Sequence, residues 1–330
     1  MNKLLEIKKL KVALALEDRK ISIYPVDDIS FSLEKGEITG IVGESGCGKT
    51  MVGLSIIKLL PRRIGRIAGG EIILNGENIS HYSEQEIRKI RGKKVGMVFQ
   101  DPLTALNPTL TIGRQICETI MTHKKVSKSE AHNMAIELLK KLEFPSPERT
   151  LKNYPYQLSG GMRQRIVIAI STACNPSLLI CDEPTTALDV TIGRNILMVL
   201  RDLNEKMNIT MIIISHDLDV IGELCKKVLI MYLGKIVEEA SIKEIFKRPA
   251  HPYTQALFRC IPKIDDVSNK RLNNIKGNVP DFANLPIGCR FNPRCPYAKK
   301  KCKLEEPVLY NIDDTHKVAC FYPINQKKVI

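Results

Sequence analysis

The chain has no apolar run longer than about six residues, Val228 to Leu233 being the longest, against the roughly 18 to 20 that cross a bilayer. A membrane-spanning helix is not expected. The first residues, MNKLLEIKKLKV, place charges every two or three residues and offer no apolar stretch or small-residue cleavage site, so the sequence predicts no secretory leader and a cytoplasmic location. Close CxxC pairs are missing although there are ten cysteines. In a reducing compartment that number argues against a disulfide framework and for buried thiols, reactive thiols or metal ligands. There is no internal repeat, no low-complexity tract, no sustained heptad pattern, and aromatics make up only 5%. What is present is ordinary globular composition, 44% hydrophobic and 26% charged over 330 residues. That is too long for one typical domain of about 100 to 200 residues and fits one large domain plus an appendage.

The net charge of +14 is unevenly spread: residues 241–330 hold 17 Lys+Arg against 8 Asp+Glu, leaving 33 against 28 before them. A basic tail is usually a solvated face; sharper readings are an anionic membrane surface, nucleic acid or an anionic cofactor. Beyond residue 240 the texture turns to Pro, Asn, Lys and Cys with little periodicity. A boundary is placed there, between a domain over 1–240 and an extension over 241–330.

Before that boundary, LLEIKKLKV, ISFSLEKGE and ITGIV read as strands of an edge sheet leading into a buried strand. Met51, Val52, Leu54, Ile57 and Leu60 recur at helical spacing until Pro61. Residues 110 to 145 read as a helical insertion, with Ala135, Ile136, Leu138, Leu139 and Leu142 on one face. Leu178 to Cys181 and Thr210 to Ile214 are further strands, separated by the helical stretch Ile192 to Met207. Strands alternating with helices imply a mainly parallel sheet.

Between the strand and the helix around residue 45 lies Gly43-Glu44-Ser45-Gly46-Cys47-Gly48-Lys49-Thr50, which fits GxxxxGK[ST] in the context that motif needs. Glycines let the loop turn its amides inward and, with the helix amino terminus, form a concavity for anions. Lys49 is suited to the β- and γ-phosphates of ATP and the Thr50 hydroxyl to Mg²⁺. Leu178-Leu179-Ile180-Cys181-Asp182-Glu183 supplies the second element: Asp182 as acceptor for Mg²⁺ or its water, Glu183 as the carboxylate that polarises the attacking water.

Between these elements stands Leu158-Ser159-Gly160-Gly161-Met162, and here the sequence resembles the ATP-binding subunits of ABC transporters, whose signature LSGGQ it matches except at the fifth position. The resemblance implies that Ser159, Gly160 and Gly161 contact the γ-phosphate held by a partner subunit, with Ser159 also capping the following helix. It further implies that Gln100 is the Q-loop glutamine sensing Mg²⁺, that Ala187-Leu188-Asp189 is the D-loop, and that His216, at the end of the strand TMIIIS, is the switch histidine. Tyr24, upstream of Gly43, is the best candidate to stack on adenine. The implied fold is α/β: a P-loop NTPase core with a mainly parallel sheet, an antiparallel edge sheet, a helical subdomain over about 101–165, and a small cysteine-rich carboxy-terminal domain.

FQDPLTALNPTLTIGRQI, DEPTTALDVTIGRNIL and HPYTQALFRCIP resemble more narrowly the ATPases of dipeptide and oligopeptide importers. That resemblance implies a subunit at the cytoplasmic face of the membrane. It also implies a second ATPase as partner, by family habit a paralogue, together with two transmembrane permeases and an extracytoplasmic peptide-binding protein, and no nucleic acid. The alternatives are an importer ATPase for nickel or another small solute, and a soluble ABC ATPase acting on ribosomes or DNA. Cys47 and Thr50 stand where the group usually has two serines, which suggests thiol sensitivity near the nucleotide.

Cys289, Cys295, Cys302 and Cys320 cluster near the end of the sequence. With few apolar residues around them, they suggest a lobe over about 280–325 that needs a staple. Zinc is the generic reading, although its usual close pairs are missing. Iron–sulfur clusters accept looser spacing, and Arg290, Arg294, Lys299, Lys300, Lys301 and Lys303 would offset cluster charge and lower the thiol pKa values. The resemblance favours a 4Fe-4S cluster, with zinc as the alternative. The lobe is expected to stand apart from the ATP loop, so that losing Cys295 would leave nucleotide binding almost unchanged.

Overall fold

Three short apolar runs, Val95–Val98, Leu178–Asp182 and Thr210–Ser215, are buried at every residue, as strands covered on both faces are. In the computed structural model, which describes residues 3–16, 21–186, 188–260 and 274–324, they pair in parallel, Val95 to Val98 beside Leu178 to Cys181 and Leu178 to Asp182 beside Thr210 to Ile214. They belong to the first of two compact units, residues 1–5, 33–38 and 73–214. The helix Val190–Met207 buries Ile196, Leu197, Val199, Leu200 and Leu203, a stripe that recurs with each turn.

The same unit holds the helical insertion. The stretch expected to be helical from 110 to 145 forms two helices, Ile112–His123 and Lys128–Lys141, followed by Pro147–Lys152. The break has a local cause. Ser127 Oγ accepts the Glu130 amide at 3.2 Å, and the Glu130 carboxylate accepts the Ser127 amide at 2.7 Å; this reciprocal cap starts a new helix.

The second unit gathers residues 6–32, 39–72 and 215–330. It contains most of Ile21–Glu34, Lys3–Leu16 and Gly65–Leu74, neighbours in one sheet. It also contains most of Ile38–Val42, whose residues Thr39 to Val42 run parallel to Lys227–Tyr232. Lys235–Ser241 then returns antiparallel to Lys227–Tyr232. The sheet is therefore mixed: the strand entering the phosphate loop has a parallel neighbour, and antiparallel strands follow.

The expected separate cysteine-rich domain is not a unit of its own, because the extension is built into this second unit. His316–Val318 pairs antiparallel with Lys235–Ser241, and Tyr310–Asp313 pairs with His316–Val318. At the join, the fully buried Glu238 carboxylate accepts the amides of Ala250 and His251 at 2.6 and 2.9 Å and lies 2.6 Å from His316 Nε2. Strands this short carry almost no periodicity, and the strand they join lies far upstream, so neither was expected. Among the described residues no helix is long and apolar enough to cross a membrane.

Candidate functional site

The phosphate-loop sequence leaves the strand Ile38–Val42 and enters the helix Lys49–Ile56. Two glycines are sterically required. A Cβ on Gly43 would lie 2.1 Å from the Met231 carbonyl oxygen, and one on Gly48, whose φ is +104°, would lie 1.9 Å from that of Pro25. Gly46 also has positive φ, at +77°, but open space around it. Lys49 is buried, and its Nζ donates to the carbonyls of Gly43 at 2.8 Å and Glu44 at 3.0 Å, which folds the ammonium into the loop. Ser45 and Thr50 flank this turn, with Thr50 in the first turn of the helix.

Cys47 departs from the expected thiol sensitivity. It is fully buried, and burial pushes its thiol up despite nearby Lys49, so little reactive thiolate forms there.

Glu44 is held at every polar group. Its carboxylate accepts both terminal nitrogens of Arg294, at 2.6 and 2.9 Å. Its amide donates to Tyr253 Oη at 2.8 Å, and its carbonyl accepts Lys49. Tyr253 is the tyrosine of the HPYTQAL stretch, and its ring lies 4.6 Å from that of Tyr232. Sequence reasoning did not single out Arg294, Tyr253 or Tyr232 for this loop; each lies far along the chain, and no spacing announces such a contact. Tyr24, the adenine candidate, is half-buried with the Lys11 ammonium 4.2 Å from its ring centroid.

In the first unit, Asp182 ends a buried strand and is itself buried. Glu183 follows with φ +48°, a left-handed conformation that costs a non-glycine residue about 1 to 2 kcal/mol. Its amide donates to the Ile214 carbonyl at 2.9 Å. Its Oε2 accepts Gln100 Nε2 at 3.1 Å and Thr186 Oγ1 at 2.8 Å, so two site residues expected from distant parts of the sequence meet. Ser159 caps the helix Gly160–Thr172, its Oγ accepting the Met162 amide at 3.4 Å, with Gly160 and Gly161 in the first turn. Asp189 is the cap position of Val190–Met207 without a side-chain bond to it. Ala187 lies outside the described residues. His216, in the second unit, is exposed just past Ser215, whose Oγ accepts the Asp217 amide at 2.9 Å.

The four tail cysteines converge. Cys289, Cys295, Cys302 and Cys320 all line one small cavity of about 20 Å³, walled by Phe291, Tyr297, Phe321 and Tyr322. The Cys289 amide donates to the Cys302 carbonyl at 2.8 Å, which fixes the two segments against each other. Burial pushes Cys289 up to about 11 and Cys320 up to about 12, with the neighbouring thiols adding to the shift. This reverses the expected lowering by basic neighbours, because burial outweighs them; several of those neighbours are also engaged elsewhere. Arg294 binds Glu44, Arg290 binds Asp27, Glu306 and the Leu233 carbonyl, and Lys299 and Lys301 lie over the rings of Tyr322 and Phe321. Among the described residues, no three Cys, His, Asp or Glu are grouped to hold a metal ion, so the expected metal site does not stand assembled.

Residues 26–186 match the family described as ABC transporter, and residues 237–302 match the oligopeptide/dipeptide transporter C-terminal region. The oligopeptide transport ATP-binding protein AppD of Bacillus subtilis is 46% identical over 321 residues, 97% of each chain. The dipeptide transport ATP-binding protein DppD of Escherichia coli is 44% identical over 322 residues, 98% of this chain and 97% of its own. Among solved structures, the dimeric MJ0796, a bacterial ABC transporter cassette, aligns with TM-score 0.64 and 28% identity over 72% of this chain and 98% of its own.

Proposed function

The chain belongs to the ABC transporter ATPases, among the ATP-binding subunits of dipeptide and oligopeptide importers, and from that membership we propose how its own residues perform the reaction. Its activity is ATP hydrolysis coupled to peptide import. A second ATP-binding subunit, two transmembrane permeases and an extracytoplasmic peptide-binding protein complete the transporter in this reading, with the chain peripheral at the cytoplasmic face of the membrane.

Lys49 and the amides of Gly43 to Thr50 bind the β- and γ-phosphates, and the bonds from Lys49 to its own loop hold the ammonium where those charges arrive. Mg²⁺, held by Thr50 and Asp182 with Gln100, would offset charge on the phosphate oxygens when bound. Water attacks the γ-phosphorus, the bond to the bridging oxygen breaks, and Glu183 takes the water proton. Gln100 and Thr186 share one oxygen of that carboxylate and so fix its orientation. His216 approaches the γ-phosphate from the same nucleotide's side. Ser159, Gly160 and Gly161 direct the positive end of the helix Gly160–Thr172 at ATP held by the partner subunit, and Asp189 sits beside that junction.

The observation that carries this reading is the Gln100–Glu183 contact at 3.1 Å, which brings two candidate residues from distant parts of the sequence to one carboxylate. Glu183→Gln is expected to lower turnover at least about a hundredfold, the usual range for losing a general base, with ATP affinity within a few-fold of the parent. Near-normal turnover would overturn the assignment. A small-solute importer, for nickel for example, or an ATPase acting on ribosomes or nucleic acid, has less support because residues 237–302 match the peptide-transporter region.

We also propose that Cys289, Cys295, Cys302 and Cys320 hold one 4Fe-4S cluster. The support is the convergence of the four thiols on one cavity at the loose spacing that iron–sulfur clusters accept, with zinc as the alternative. When bound, the cluster would supply four thiolate bonds that cross-link the tail segments.

A further inference from the structure

We propose that Arg294 is a positioning residue for nucleotide binding, and that through it the cysteine segment sets the affinity of the phosphate loop. The proposal rests on the reading of Gly43 to Thr50 as the ATP loop and is independent of whether a cluster is bound.

Arg294 immediately precedes Cys295, and its side chain is only 4% exposed. Every guanidinium nitrogen has an acceptor. Both terminal nitrogens grip Glu44; one also reaches Tyr232 Oη at 3.3 Å and the other the Ile275 carbonyl at 3.4 Å, while Nε donates to Lys276 O at 3.2 Å. A two-pronged pair of this sort fixes angle as well as distance, so Glu44 cannot rotate without breaking two charge-assisted bonds at a buried arginine. Glu44 is the second residue of the phosphate loop, and its carbonyl holds Lys49. Fixing Glu44 therefore fixes the peptide that orients the phosphate-binding ammonium.

A second path runs in parallel. Arg290 immediately follows Cys289 and donates to the Leu233 carbonyl. The next residue, Gly234, donates its amide to Cys47 O within the loop at 2.9 Å. Arginines adjoining two of the four cysteines thus reach the same loop by different routes. The expected independence of the lobe from the ATP loop does not hold.

The test is ATP binding by the full chain, measured by titration calorimetry, for Arg294→Gln, Arg294→Lys, Glu44→Gln and the double variant Arg294→Gln/Glu44→Gln. Removing either partner is expected to raise the Kd about tenfold. The double variant should be no weaker than either single one, because both delete one interaction. Arg294→Lys, which keeps charge but loses the fork, should recover part of the affinity. In the assembled transporter, KM for ATP should rise with kcat within about twofold, since loop geometry acts on ground-state binding. Unchanged Kd in Arg294→Gln, or effects that multiply in the double variant, would overturn the proposal. Where Arg294→Gln fails to fold, Glu44→Gln decides alone: a normal Kd there also overturns it. Lys49→Ala is the control. Lost binding in it with normal binding in Arg294→Gln removes the clamp alone, whereas retained binding removes the loop reading and the clamp with it.

Discussion

The phosphate loop and the cysteine cavity are two cradles in one compact unit, built by opposite means. The loop uses glycines, a helix amino terminus and one buried lysine, so its binding groups are mostly backbone amides and need no side chain beyond Lys49 and Thr50. The cavity uses four side-chain thiols from separate segments of the tail, walled by aromatic rings. A backbone cradle is local, and a side-chain cradle is assembled. The first can be destroyed by adding one methyl group, whereas the second depends on keeping every member.

The most severe way to break the loop is Gly48→Ala. With φ at +104° and a Cβ 1.9 Å from the Pro25 carbonyl oxygen, the loop must shift, and ATP binding is expected to weaken by more than about a hundredfold, a loss of the order of 3 kcal/mol. Titration of the purified chain measures it. Gly46→Ala sharpens the point, because nothing lies within 4 Å; only backbone strain of about 1 to 2 kcal/mol applies, read as a modest fall in Tm. Equal damage at both positions would mean that steric closure is not what makes the loop.

The cavity is tested by Cys295→Ser in protein purified without oxygen. About four irons per chain are expected in the parent, as that cluster type requires, and almost none in the variant. Because Arg294 adjoins Cys295, a several-fold rise in the Kd for ATP should accompany the loss. One zinc per chain in colourless parent protein would support the alternative metal.

A last test concerns pH and leaves the four thiols and the loop residues in place. Burial lowers the pKa of His251 to about 4, opposed by Glu238, from an ordinary 6.5. The unfolded chain then binds the extra proton first, so this residue's contribution to stability is present above pH 6.5 and declines as pH falls toward 4, by at most about 3 kcal/mol. His251→Asn keeps a capping acceptor and removes the titration. Its urea midpoint should therefore fall less between pH 6.5 and 4.5 than that of the parent.

Legibility in the sequence followed the same division. Gly43 to Thr50 and Asp182 with Glu183 are contiguous and each carries its own local pattern, so spacing and residue type singled them out as candidates. The roles of Gln100, Ser159 to Gly161, Asp189 and His216 came only through family resemblance, as did the preference for a 4Fe-4S cluster over zinc at the four cysteines. Arg294, Tyr253 and Tyr232 escaped because their purpose lies in contacts between distant parts of the chain. The strands Tyr310–Asp313 and His316–Val318 escaped because so short a pattern falls below what periodicity can register, and because Glu238, a buried acid, looks from sequence like a surface residue.

Those late strands also change what the sheet presents to other molecules. Without them Lys235–Ser241 would end the sheet, a row buried along its centre with unmatched amides along one side, which is a template for a neighbour's backbone. His316–Val318 occupies that side. The strand left outermost, Tyr310–Asp313, is short, irregular between Asn311 and Asp313, and tied down by Arg248 bonded to Asp313 at 2.6 Å. The extension thus blunts the edge of its own sheet, leaving a short, irregular strand where a long flat one would invite a neighbour's backbone.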